Sequence, residues 1–180
     1  MVASAQFKGQ AVTKALNELQ KKVANRRPVH RTITRRLVTR VQLNFKRSRD
    51  PWGGAWEPLK LRNGQPLRDT GRLFRSIPAA STSDDDSSTI GTNVRYGLTH
   101  QEGRTIKAQP GSPGSNFVGQ RKGSPFLRFK AGGRFFSLKE ATIPARPFLP
   151  IRNGQADLPA DWENTVLDAI QSHLQGPGVS

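Results

Sequence analysis

Few side chains in this sequence could do chemistry. Three histidines, His30, His100 and His173, stand far apart, and there is no cysteine. Zinc binding or nucleophilic catalysis needs converging His, Cys and carboxylate groups, and no such constellation is spelled out. His100, two residues before Glu102, comes nearest to a general acid/base pair, because alternate positions on a strand share a face. With no third group converging on it, the pair reads more simply as a polar strand edge or a subunit contact. The run Asp84-Asp85-Asp86 has oxygen for a hard cation but lacks the spaced ligands and glycine of a calcium loop, so it reads as a solvated turn. The glycines near residues 50–54 match neither phosphate-binding fingerprint. A non-enzymatic protein without cofactor or metal is the expectation.

Charge is the stronger signal. The 180 residues carry a formal net charge of +16, which self-repels unless the chain works beside something negative. Residues 1–49 hold 13 Lys and Arg against Glu18 alone, whereas residues 146–180 hold two Arg against four acids. Arg31, Arg35, Arg36 and Arg40 cluster in one segment, and Lys122 and Arg128 lie in a Gly-rich stretch interleaved with Phe117, Phe126 and Phe129. These six cations form a candidate basic contact surface. Docking to acidic protein is the main expectation for it. Non-specific contact with DNA is the second, and its mark would be affinity that collapses as salt rises. Without disulfides, stability must come from packing or from neighbouring subunits. No apolar run is long enough to span a membrane, and the N-terminus lacks the hydrophobic stretch of a secretory signal, so synthesis in the cytoplasm is expected.

The elements that must position these residues follow from periodicity. Val12, Leu16, Leu19 and Val23 are spaced four, three and four, an apolar stripe on a helix over 9–26. Pro28 breaks it, and a second helix over 29–47 aligns Ile33, Leu37, Val41 and Phe45. Residues 49–59 form a Pro/Gly loop pinned by Trp52 and Trp56, which serve either as interface anchors or as packing beneath the helices. A short helical turn over 69–77, capped by Asp69 or Thr70, leads into strands over 76–81 and 89–92 around a polar turn at 83–88, with another strand over 96–101. Residues 103–124 read as a long loop that orders against a partner, and residues 125–141 as a hairpin turning at Gly132-Gly133. A last helix over 159–174 places Trp162, Val166 and Ile170 at intervals of four, with Pro159 in its first turn. The sum is one α+β domain over 1–180. Its helical N-terminal part (8–47) and C-terminal helix (157–175) pack on a small antiparallel sheet (69–150) that carries the loop and hairpin insertion, ahead of a flexible tail at 176–180.

Read in order, Arg49-Asp50-Pro51-Trp52-Gly53-Gly54-Ala55-Trp56-Glu57-Pro58-Leu59, Asp69-Thr70-Gly71-Arg72-Leu73, Ile90-Gly91-Thr92 with Tyr96, His100-Gln101-Glu102-Gly103 and Ala145-Arg146-Pro147-Phe148-Leu149 resemble the phage virion morphogenesis family. That family groups the tail completion proteins of Mu-like and P2-like phages. The chain departs from the pattern in its stretched segment between Gly103 and Ala145, and in Gln101-Glu102 where an aromatic is expected before the glycine. The resemblance implies an α+β subunit of a hexameric or dodecameric ring at the neck or top of the tail. Its neighbours would be connector and tail proteins, and DNA would pass through the lumen. A terminator capping the tail tube is the near alternative. Trp52, Trp56, Arg72, Tyr96, His100, Glu102, Arg146 and Phe148 are the candidate interface or structural residues.

Overall fold

The structure, a computed structural model, describes residues 9–60, 63–108, 126–131 and 133–175, with the backbone alone at 128–131. Lys122, most of the expected loop and the expected tail at 176–180 lie outside the described residues, as does the side chain of Arg128. The chain runs α1 (Gln10–Ala24), α2 (Arg27–Arg47), α3 (Arg72–Ala80), β1 (Thr82–Ser83), β2 (Ser88–Thr89), α4 (Gly97–Glu102), β3 (Arg104–Lys107), β4 (Leu127–Ala131), β5 (Arg134–Leu138), β6 (Glu140–Ile143), β7 (Ile151–Arg152), β8 (Gln155–Ala156) and α5 (Ala160–Gln175). This is the α+β class. Among the described residues the strand pairing is antiparallel and divided among four two-stranded ribbons, so helices and loops supply the core face that a single sheet was expected to give.

The core is organised by α2. Its residues Val29, Ile33, Leu37, Val41 and Phe45, each four apart, are all buried, with Val38 beside them. A strict four-residue spacing drifts around a helix of 3.6 residues per turn. That drift is tolerated because α2 is covered on several sides, by α3, the β1–β2 hairpin and α5. The helix α5 packs chiefly on α2, and there the drift matters. Trp162 and Ala169, seven apart, are buried with Val166 partly so, while Ile170 has turned outward. The expected Trp162–Val166–Ile170 face is corrected accordingly: eight residues advance a helix by about 80° beyond whole turns, and seven bring it nearly back.

The helical turn expected over 69–77 forms as α3, burying Leu73, Ser76 and Ile77 at positions i, i+3 and i+4, and it runs on through residues 76–80, where a strand was expected. Pro78 sits in the last turn of α3 and cannot donate to the Phe74 carbonyl, so the helix runs through it without that rung. The strand expected over 96–101 is replaced by α4, seated so closely that a Cβ on Gly97 would lie 2.7 Å from Thr92 Cγ2. The segment after Gly103, expected as the start of a loop, is β3, which pairs with β6 from Arg104↔Ile143 to Lys107↔Glu140. This stem encloses the Gly-turn hairpin: β4 and β5 pair with Ala131 opposite Arg134, and Gly133 takes φ 81°. The polar turn also forms as expected. Oδ1 of Asp84 accepts from the N–H groups of Asp86 (2.8 Å) and Ser87 (2.6 Å), which accounts for its oxygens without a cation.

Candidate functional site

All five of the separated sequence motifs contribute to one cleft of roughly 500 Å³, the tryptophan loop through Leu59. Its wall is the Asp69-Thr70-Gly71-Arg72 turn leading into α3, its floor Tyr96 and His100, and its far side Arg146. Gly71 caps α3 with φ 74°, Thr70 Oγ1 accepts the Arg72 N–H (3.3 Å), and Arg75 reaches back to the Thr70 carbonyl (2.9 Å). The turn is thereby held while the Arg72 side chain stays exposed. Arg146 is buried and donates from Nε to the Glu57 carbonyl (2.9 Å) and from Nη2 to the Pro58 carbonyl (3.3 Å), tying the tryptophan loop to this cleft. The Arg146 N–H donates to the His100 carbonyl (2.7 Å).

His100 meets the Tyr96 ring edge-on at 5.7 Å between centroids. Its Nδ1 is buried with no hydrogen-bond partner among the described residues. Burial, reinforced by the positive charge of Arg146, holds the imidazole below its ordinary pKa of 6.5, so it stays neutral over a wider range than a free histidine. The acid/base pairing with Glu102 dissolves, because two steps along α4 point nearly opposite ways and Glu102 faces solvent. The cleft thus offers a neutral imidazole, the Tyr96 ring and the exposed Arg72 guanidinium beside the Asp69 carboxylate, with Arg146 held on backbone carbonyls behind them, an arrangement suited to receiving a polar group. The linkage has a definite sign. As pH falls below about 6.5, the unfolded chain takes up a proton that the folded chain refuses, so stability declines through that window. His100→Gln should flatten this part of the stability curve, measured by denaturant unfolding at a series of pH values; an unaltered slope would refute the assignment.

Sequence reasoning missed Gln101, which is buried and holds the strand of backbone behind the cleft. Its Oε1 accepts from the N–H groups of Phe148 and Leu149 (both 3.0 Å), and its Nε2 donates to the Leu149 carbonyl (3.0 Å). A side-chain amide here does the work of a β-ladder rung. Nothing local marks it, since a glutamine between His100 and Glu102 reads as solvated.

The remaining candidates scatter. Trp56 is core: it is buried, its Nε1 donates to the Pro147 carbonyl (2.8 Å), and it packs edge-on against Phe45. Phe148 is equally buried, 5.4 Å from the Phe45 ring. Trp52 is half-buried beneath the Arg152 guanidinium at 4.0 Å. Among the basic residues, Arg31 and Arg35 are exposed, but Arg40 is engaged by Asp161 Oδ2 and Thr165 Oγ1 (both 2.9 Å), which joins α2 to α5. His30 meets Ser88 Oγ (3.0 Å) and His173 the Lys22 carbonyl (3.0 Å), so the three histidines occupy separate settings.

The convergence of these motifs agrees with comparison to known proteins. A model of the phage virion morphogenesis family matches residues 7–175. The chain is 31% identical over 166 residues, 92% of its own length and 91% of the relative's, to the Mu-like prophage FluMu G protein 2 of Haemophilus influenzae. No solved structure matches. A match that runs from α1 through α5, taking in both the tryptophan loop and the cleft, shows that the chain belongs to the phage virion morphogenesis family.

Proposed function

We propose that this phage structural protein completes the tail and joins it to the head, as the subunit of a ring at the neck. The observation that carries the reading is the family match across residues 7–175. The distribution of charge supports it. The α1–α2 part is strongly basic and α5 mildly acidic, so each copy carries patches of opposite sign, which would favour head-to-tail packing in a ring. The cleft between Arg72, Tyr96 and His100 offers a receptor for a polar side chain of an adjoining protein. A lumen carrying DNA tolerates the positive charge, and cations held at protein contacts avoid a grip on phosphate that would slow ejection.

Deleting the gene from its phage, imaging the lysate by electron microscopy and adding back purified protein tests the reading. Full heads beside unjoined tails, rescued by the protein, are expected. Tails of uncontrolled length would transfer the role to tube termination, and normal particles would overturn a part in assembly.

A further inference from the structure

The helix α1 is the least explained element of the fold. Its stripe of Val12, Leu16, Leu19 and Val23 is 43–62% exposed, and none of its 15 residues is buried. It is anchored near its C-terminal end, where Lys22 Nζ donates to the Leu174 carbonyl and His173 meets the Lys22 carbonyl, both at 3.0 Å. Isolated helices of this length are marginal in water, and an amphipathic one normally owes its stability to a covered face. A second uncovered stripe lies on α5. Leu167 and Ile170 are 60% and 38% exposed, and they continue through half-buried Leu174 and the carboxylate of Glu163 with the four, three, four spacing of α1.

We propose that the stripe of α1 docks antiparallel on the α5 stripe of a second copy of the chain. Charge selects this pairing. The helix α1 carries Lys14, Lys21 and Lys22 against Glu18, while α5 carries Asp161, Glu163 and Asp168 and no Lys or Arg. Pairing α1 with α1, or α5 with α5, brings like charges together; pairing α1 with α5 opposes them. The antiparallel direction sets Leu19 against Leu167 and Leu16 against Ile170, and places the Lys21-Lys22 end of α1 beside the acidic start of α5. Because the two patches differ, the contact is heterologous and propagates from copy to copy until it closes. The inference rests on the ring reading above and names its interface.

The absence of cysteine makes the contact directly testable. Purified chains carrying Leu19→Cys and Leu167→Cys singly are mixed in equal amounts, added to a lysate lacking the protein, and mildly oxidised. Both positions are exposed in the subunit, so unfolding midpoints should match the unaltered chain. A disulfide-linked dimer is expected from the mixture and from neither variant alone, and Val12→Cys mixed with Leu167→Cys should give much less. Dimers from Leu19→Cys alone, or none from the mixture, would overturn the interface. If heads and tails nevertheless join in that sample, the joining role stands without it. The gene deletion described above is the separate test of that role.

Discussion

Replacing Gln101 by alanine is expected to destabilise the fold by about 2–5 kcal/mol, a large share of the roughly 5–15 kcal/mol a domain possesses. The side chain satisfies three main-chain groups of Phe148 and Leu149, all buried. Removal strands the Phe148 and Leu149 N–H donors where water is excluded, each costing about 1–3 kcal/mol when left unmade, while the Leu149 carbonyl keeps the Ile151 N–H (2.8 Å). An apolar replacement of similar size, Gln101→Met, fills the volume without the bonds and should cost nearly as much, which separates hydrogen bonding from packing. Urea unfolding reads both through the shift in midpoint at constant m-value. A loss below about 1 kcal/mol for both variants would mean that the Phe148-Leu149 backbone finds other partners.

Phe45→Ala should cost about 3–5 kcal/mol by leaving a cavity at the centre of the core. The ring is fully buried on the last turns of α2 and meets Trp56 at 5.4 Å, Phe74 at 5.8 Å and Phe148 at 5.4 Å between centroids. Through it α2, the tryptophan loop, α3 and the Arg146-Pro147-Phe148 segment are locked to one another, so the cavity loosens both sides of the cleft. The matching control is Leu19→Ala on α1, an apolar residue 43% exposed, which in the isolated subunit should change stability by no more than about 0.5 kcal/mol. Thermal or chemical unfolding of the two variants compares a core position with a surface stripe. Equal losses would mean that α1 is covered within its own chain.

Much of this fold is legible in the sequence where the determining interactions are local. The stripe of α2 is buried as its spacing implies, β4 and β5 pair as a hairpin with Gly133 at positive φ in its turn, and Asp84 closes the turn between β1 and β2 with its own side chain. The motifs that line the cleft were also visible one by one. Their convergence was not, because Asp69-Thr70-Gly71-Arg72, His100 and Arg146 meet only through contacts between distant segments. The pairing of β3 with β6 is of the same kind, joining Arg104 to Ile143 across the whole inserted segment, and no local pattern announces it.

Where the reading failed, tertiary packing overrode local preference. Strands were expected over 76–81 and 96–101, yet the burial of Ser76 and Ile77 on the face that Leu73 begins, and the close seat of Gly97, hold residues 76–80 and 97–102 as helix. Alone, the sequence determined the family, the α+β class, the helical faces of α2 and the charge asymmetry, since each is written in residue type and short-range spacing. Tertiary structure alone decided that Gln101 is a buried clamp, that His100 faces Arg146 rather than Glu102, and that α1 keeps its apolar stripe open. Periodicity specifies that a face is apolar, but what covers that face depends on surfaces brought together from elsewhere in the chain or from another copy.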